Sequence, residues 1–288
     1  MNSQRTNRLP SWLSRKMGQP SKLHEMKNIL RSRNLHTVCE SARCPNIGEC
    51  FSKPTATFMI LGDVCTRGCG FCSVEKTAAP LVVDANEPRS IAITAKELGL
   101  KHVVITSVTR DDLYDGGATQ FALTIQAIRD TIPSISIEVL TPDFKGDKDS
   151  LNIVLNTRPD IFNHNIETVP SLYKKVRPQA DYRQSLMVLE MAKNMSHAAV
   201  TKSGLMVGLG ETRDEVQSVL KDLVAAGCDA VTIGQYLRPS TKNLKVKEYI
   251  PLDVFKEYES FGRKIGLKYV YSGPFVRSSY NAEMLTAS

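Results

Sequence analysis

Six of the chain's seven cysteines fall between residues 39 and 72, in two groups of three. Cys65, Cys69 and Cys72 form C-x3-C-x2-C in the segment Cys65-Thr-Arg-Gly-Cys-Gly-Phe-Cys72. Three thiolates so close together can wrap one corner of a small inorganic cluster, and Gly68 and Gly70 let the backbone turn tightly around the sulfurs. Structural zinc usually takes four ligands in C-x2-C pairs. An ordinary electron-carrier cluster also takes four cysteines. Three thiolates can instead hold three irons of a four-iron cluster and leave the fourth open to an exogenous ligand. Zinc and plain buried thiols are the competing readings. Cys39, Cys44 and Cys50 form a wider C-x4-C-x5-C, which calls for a loop bent at Pro45 and Gly48. Cys228, between Gly227 and Asp229, reads as a core or surface thiol. Cysteines packed this densely suggest metal binding in a reducing compartment rather than a secreted disulfide framework.

The elements that must position these thiols emerge from the hydropathy rhythm. Candidate strands are Thr55–Leu61, His102–Ser107, Ser136–Leu140, Ile161–Ile166, Ser203–Gly208 and Ala230–Tyr236. A helical pattern comes after each, at Pro88–Leu98, Ala118–Thr131, Lys148–Asn156, Arg183–Asn194, Glu211–Ala226 and Leu252–Gly266. In the second helix Phe121, Ile125 and Ile128 recur at helical spacing. Six βα units in a row imply a parallel sheet with helices outside it. A partial (β/α)6 TIM-like barrel fits the count, with a doubly wound open sheet as competitor. In either, chemistry belongs at the C-terminal ends of the strands, where the 65–72 triplet lies. The chain thus divides into a basic N-terminal extension with three cysteines (1–54), the barrel (55–266) and a C-terminal extension (267–288).

The 288 residues, 42% hydrophobic and 23% charged, describe a globular protein. No apolar run is long enough to span a membrane. The formal charge of +7 arises within residues 1–38, which carry Arg5, Arg8, Arg15, Lys16, Lys22, Lys27, Arg31 and Arg33 against Glu25 alone. The remainder balances, which argues against a nucleic-acid groove on the barrel. The arm either covers the barrel or meets an acidic partner; a targeting peptide or a solvated tail are the alternatives.

C-x3-C-x2-C with an aromatic residue before the last Cys, after the first strand of a six-unit barrel, resembles the radical S-adenosylmethionine superfamily. The resemblance implies a 4Fe-4S cluster on Cys65, Cys69 and Cys72. Its open iron would chelate S-adenosylmethionine, and reduction would cleave the sulfonium to a 5′-deoxyadenosyl radical. Within that superfamily the upstream C-x4-C-x5-C resembles the lipoyl synthases. The likeness extends to Ser107-Val-Thr-Arg-Asp-Asp-Leu-Tyr-Asp-Gly-Gly117, Phe162-Asn-His-Asn-Ile-Glu-Thr168, Lys202-Ser-Gly-Leu-Met-Val-Gly-Leu-Gly-Glu211 and Arg277-Ser-Ser-Tyr-Asn-Ala282. It implies a second, auxiliary 4Fe-4S cluster on Cys39, Cys44 and Cys50, completed by Ser279. A hard alkoxide should release iron more readily than a thiolate would, which suits a cluster meant to be dismantled.

The same resemblance implies two sulfur insertions, at C6 and C8 of a protein-bound octanoyl-lysine, with the auxiliary cluster as sulfur donor. Expected partners are an octanoylated lipoyl carrier domain, which the basic arm would help dock, an electron donor such as a flavodoxin or ferredoxin, and an iron–sulfur carrier for cluster repair. Neither nucleic acid nor membrane is expected, and the expected location is the cytoplasm. Thr106, Ser107, Asn163 and Glu167 are the expected S-adenosylmethionine contacts. The bland readings are that Asn163 and His164 close a turn and that Glu167 caps the segment after it. Arg110-Asp111-Asp112 reads as an internal ion-pair network. The alternatives are another radical enzyme with an auxiliary cluster, such as a methylthiotransferase or a biotin-synthase-like sulfur inserter, and an iron–sulfur electron carrier.

Overall fold

A computed structural model describes residues 10–13, 20–42, 44–50, 53–77, 82–196, 199–279 and 282–285. Arg5, Arg8, Arg15 and Lys16 of the basic arm, Arg43 of the first cysteine segment, and Tyr280 and Asn281 of the C-terminal motif lie outside these.

Six parallel strands, β2 (Thr55–Ile60), β3 (His102–Ser107), β4 (Ser136–Leu140), β5 (Ile161–Asn163), β6 (Val200–Val207) and β7 (Ala230–Gln235), form the centre of one sheet. Their residues are almost wholly buried, as strands covered on both faces must be. The expected count of βα units is met, and two edge strands add to it. β1 (His36–Thr37) pairs antiparallel with β2, and β8 (Tyr269–Gly273) extends the parallel order beyond β7. The eighth strand corrects the reading of residues 267–288 as a simple extension. The sheet stays open between β1 and β8, so the barrel is partial.

The intervening helices, α2 (Glu87–Glu97), α3 (Ala118–Thr131), α4 (Lys148–Leu155), α5 (Tyr182–Met195), α6 (Arg213–Ala225) and α7 (Leu252–Lys264), match the expected ones to within about two residues. Their starts are chemically set. Asp147 and Asp181 cap α4 and α5, and Thr212 with Glu215 forms a capping box on α6. Phe121, Ile125 and Ile128 of α3 are fully buried, on the stripe read from the sequence.

One expected strand differs in kind. The strand read as Ile161–Ile166 stops at Asn163; His164 N still donates to Lys202 O at 3.1 Å, and beyond it Glu167 takes φ +65°. Only a single bridge, Glu167 to Leu205, returns it to the sheet.

The described part of the basic arm covers the barrel, one of the two alternatives read from the sequence. Helix α1 (Pro20–Ser32) buries Met26 and Leu30 in the core. Lys27 and Arg31 pair with Glu40 at 3.4 and 3.9 Å, and Arg33 pairs with Glu97 at 2.5 Å. Three of the arm's bases therefore have a carboxylate partner within the chain, two of them sharing Glu40.

Candidate functional site

The 65–72 loop leaves β2 at the C-terminal end of the sheet, and three sets of contacts shape it. Cys65 sits in a two-residue strand beside Glu75–Lys76, and its sulfur accepts backbone N–H bonds from Arg67 at 3.4 Å and Thr109 at 3.3 Å. Gly70 is wedged between two distant segments. Its N–H donates to Val176 O at 2.8 Å, and its carbonyl accepts from Leu244 N at 3.0 Å. A side chain at Gly70 would meet Leu244 at 3.0 Å and the Lys175 carbonyl at 3.2 Å, so the motif's glycine serves close approach. Burial pushes the Cys69 thiol up and the Cys72 thiol up to about 11. As free thiols they hold their protons, and binding a metal group would release them.

Between Cys65 and Cys69 the Arg67 side chain, 8% exposed, forks onto two carboxylates. It donates to Asp111 at 2.6 and 2.8 Å and to Asp143 at 2.8 and 2.8 Å. Burial opposes the Asp143 charge, but the Arg67 pair outweighs it and holds the carboxyl at about 2. The Arg110-Asp111-Asp112 cluster is an ion-pair network as read, with one addition. Arg110 pairs with Asp112 at 2.8 Å, while Asp111 serves the cysteine loop through Arg67.

The 39–50 segment lies alongside. Thr37 caps the short helix Val38–Ser41 that carries Cys39, and Cys44 N donates to Cys39 O at 2.9 Å. The Cys39 thiol is held well above its ordinary range, first by a hydrogen bond with Cys44, then by burial and by the charges of Cys44 and Cys50. The three sulfurs therefore share one neighbourhood. Ser73, next to Cys72, donates to the Ser41 carbonyl and ties the two triplets together. Among the described residues no three His, Cys, Asp or Glu side chains converge as a single ion would require. In a 4Fe-4S cluster each thiolate binds its own iron, so the sulfurs stand wider apart than around a single ion.

The C-terminal tail reaches both the barrel and this segment. Asn46, 1% exposed, donates to the Phe275 carbonyl at 2.7 Å. Ser278 Oγ donates to Asn165 Oδ1 at 2.5 Å. Val276 O lies so near Gly234 of β7 that a Cβ there would sit 2.2 Å away. Ser279 is half-buried beside Ser278. Cys228 is buried at the far side, a core thiol as one of the two expected readings has it, and burial pushes its thiol up to about 12.

A cavity of about 200 Å³ opens beneath the 65–72 loop. Cys65, Cys69 and Cys72 line it together with Val38, Thr106, Ser107, Thr141, His164, Asn165, Glu167 and Arg177. Of the four expected cofactor contacts, Thr106, Ser107 and Glu167 line this cavity. Asn163 does not: its amide donates to Glu138 Oε1 at 2.8 Å, inside the sheet below the cavity. There Glu138 also holds Lys202 Nζ at 3.0 Å, both fully buried.

The lining has polar atoms without partners. Ser107 Oγ, Thr141 Oγ1, His164 Nε2 and Arg177 Nε are all buried and unpaired. His164 donates from Nδ1 to Thr141 O at 2.9 Å. Burial and the nearby Arg177 hold the imidazole down at about 4, leaving Nε2 a bare acceptor at neutral pH. Burial raises the Glu167 carboxyl, offset in part by Arg177 and by Asn165, which donates to it at 3.0 Å. Unpaired buried donors and acceptors are costly, so a row of them on one cavity wall fits a polar ligand. Arg177 and Thr141 were not singled out from the sequence. Nothing in the run Val176-Arg177-Pro178 distinguishes Arg177 from a surface base; only its 9% exposure does.

The sheet order, the cysteine loop after β2 and the cavity at the strand ends define a radical S-adenosylmethionine fold, and the sequence pattern of the Radical SAM superfamily matches residues 59–223. Solved structures agree in fold. Methylornithine synthase superposes with a TM-score of 0.53 at 17% identity over 76% of this chain and 71% of that one. Coproporphyrinogen III oxidase from Escherichia coli gives 0.54 at 14% over 74% and 53%. Residues 1–44 match the N-terminal domain of lipoyl synthase. Lipoyl synthase of Caldanaerobacter subterraneus is 52% identical over 97% of each chain, and that of Caldicellulosiruptor saccharolyticus 54% over 96% of this chain and 97% of that one. The chain belongs to the lipoyl synthase family. It is a radical S-adenosylmethionine enzyme, and no described helix is long and apolar enough to cross a membrane.

Proposed function

We propose that this enzyme inserts two sulfur atoms, at C6 and C8, into an octanoyl group carried on a lysine of a lipoyl domain, with a second 4Fe-4S cluster as sulfur donor. The observation that carries the reading is the joining of three distant segments. Ser73 ties the 65–72 triplet to the 39–50 segment, and Asn46 ties that segment to the tail bearing Ser279. An electron carrier would have no use for this union beside a polar-walled cavity, and a one-cluster radical enzyme would give residues 39–50 and 277–282 no joint purpose. On this reading the extensions 1–54 and 267–288 hold the second cluster against the barrel 55–266, in the reducing cytoplasm.

Cys65, Cys69 and Cys72 would hold the first cluster, and Cys39, Cys44, Cys50 and Ser279 the second. The bound cofactors supply hydrogen abstraction from unactivated carbon and the sulfur itself. The chain's own work is positional. Arg177 Nε offers a donor to a carboxylate. His164 Nε2 and Glu167 offer acceptors to an ammonium or hydroxyl, with Ser107 and Thr141 beside them. These groups suit S-adenosylmethionine's polar ends. Val38, Met59, Val74 and Leu140 give the cavity an apolar side for an acyl chain. Since C–H bonds offer no charge to stabilise, rate must come from holding the reacting atoms close.

The test separates the two triplets. After anaerobic reconstitution, Cys65→Ala should abolish 5′-deoxyadenosine formation altogether. Cys44→Ala should keep it and lose all lipoyl product from an octanoylated carrier. Cofactor cleavage surviving in Cys65→Ala, or product surviving in Cys44→Ala, would overturn the assignment.

A further inference from the structure

The balanced charge of residues 39–288 conceals a local imbalance. Two stretches, 168–180 and 236–247, contain no Asp or Glu but carry Lys174, Lys175, Arg177, Arg238, Lys242, Lys245 and Lys247. They are far apart in sequence, yet the fold sets them on either side of the same loop. Gly70 donates to Val176 O at 2.8 Å and accepts from Leu244 N at 3.0 Å. Gly68 N donates to Gln179 Oε1 at 2.6 Å, and Asn243 Nδ2 donates to Cys72 O at 2.9 Å.

The cluster loop is thus bracketed by basic segments hydrogen-bonded directly to its backbone. Arg177 turns inward to the cavity and Arg238 is held by the carbonyls of Thr241 and Asn243. The five lysines are exposed, and among the described residues none pairs with a carboxylate. None of the five lines the cavity.

We infer that this lysine face is the docking surface for a small acidic protein that donates single electrons to the 65–72 cluster. The inference rests on the reading of Cys65, Cys69 and Cys72 as ligands of a reducible cluster. Three features favour a donor over the carrier domain as occupant. The face is basic and unpaired, so it attracts an acidic partner. It abuts the cysteine loop through hydrogen bonds to that loop's backbone, a direct route inward. None of its lysines lines the cavity, and an electron, unlike an acyl chain, need not pass through the cavity to reach the loop. The step is one electron leaving the reduced donor and entering the cluster; no group is transferred.

The experiment uses the anaerobic holoenzyme and stopped-flow bleaching of its iron–sulfur absorbance. A purified flavodoxin in its hydroquinone form is one reductant and dithionite the other. The variant is Lys174→Glu/Lys175→Glu/Lys242→Glu/Lys245→Glu, with the four-glutamine version as a milder partner. Flavodoxin-driven bleaching should fall at least about tenfold in the Glu variant, less in the Gln variant, and lose its decline with added salt. Dithionite-driven bleaching should stay as in the wild type, which also shows that the variants fold and carry cluster. A flavodoxin-driven rate within twofold of wild type overturns the proposal. So does a variant that keeps that rate but no longer binds the octanoylated carrier, since the face then belongs to the carrier. Wild-type holoenzyme that dithionite cannot bleach would instead bring down the cluster reading, and this inference with it.

Discussion

Arg67→Met should cost this fold about 3–5 kcal/mol at neutral pH, although Arg67 sits in a loop. Its guanidinium makes four hydrogen bonds to two carboxylates, and the Asp143 side chain is fully buried. A carboxyl held at about 2 rather than its ordinary 3.8 is worth about 2 kcal/mol above that ordinary value. Removing the guanidinium forfeits that and leaves a buried carboxylate with only the Lys145 N–H, 3.0 Å away, for support. Breaking a buried pair from one side costs about 3–5 kcal/mol for this reason.

The pH dependence should then change sign. In the wild type the Asp143 contribution is present above 3.8 and is lost only as pH falls through about 2. In Arg67→Met the unpaired carboxyl titrates above its unfolded value, so the folded state binds the extra proton and stability falls as pH rises. Anaerobic urea denaturation monitored by far-UV circular dichroism, at about pH 4.5 and 7, should show the greater loss at pH 7. Arg67→Met/Asp143→Leu should recover much of it, since the stranded charge is gone. A loss under about 1 kcal/mol at pH 7, or one equal at both pH values, would refute the reasoning.

Two further perturbations probe the barrel and the tail. Lys202→Met takes the ammonium from the buried Glu138 and leaves it the Asn163 amide and His102 Nε2, 4.0 Å away; it should cost about 3–5 kcal/mol in the same denaturation assay, and Glu138→Leu added to it should restore part. Gly234→Ala puts a methyl group 2.2 Å from Val276 O. On the two-cluster proposal it should push the 274–279 tail off the barrel and lower the iron content of reconstituted protein from about eight toward four per chain, while 5′-deoxyadenosine formation continues.

Much of the site was legible because it is local. Both cysteine spacings are properties of single short segments, and so is the placement of Cys65, Cys69 and Cys72 after the first barrel strand. Thr106 and Ser107 end a strand whose β-branched run fixes its own limits. Asn163 and Glu167 show where that logic stops. Both lie at the end of the same apparent strand, but whether each faces the cavity depends on what the neighbouring strands offer. Glu138 draws Asn163 downward, and the left-handed turn at Glu167 brings that carboxyl to the cavity wall.

Composition and spacing, then, determined that this chain carries cysteine triplets suited to iron–sulfur clusters on a βα scaffold, because a ligand triplet and a hydrophobic period are written in consecutive residues. Only the tertiary structure decided what surrounds those triplets. The Arg67 fork reaches Asp143 across 76 residues, and Asn46 reaches Phe275 across 229. The lysines of 174–175 and 242–247, averaged away in a neutral sum, become one face when folding brings both segments to Gly70. Charge and hydrogen bonding act through distance in space, and pairings set by long-range packing leave no period or motif in the sequence to be read.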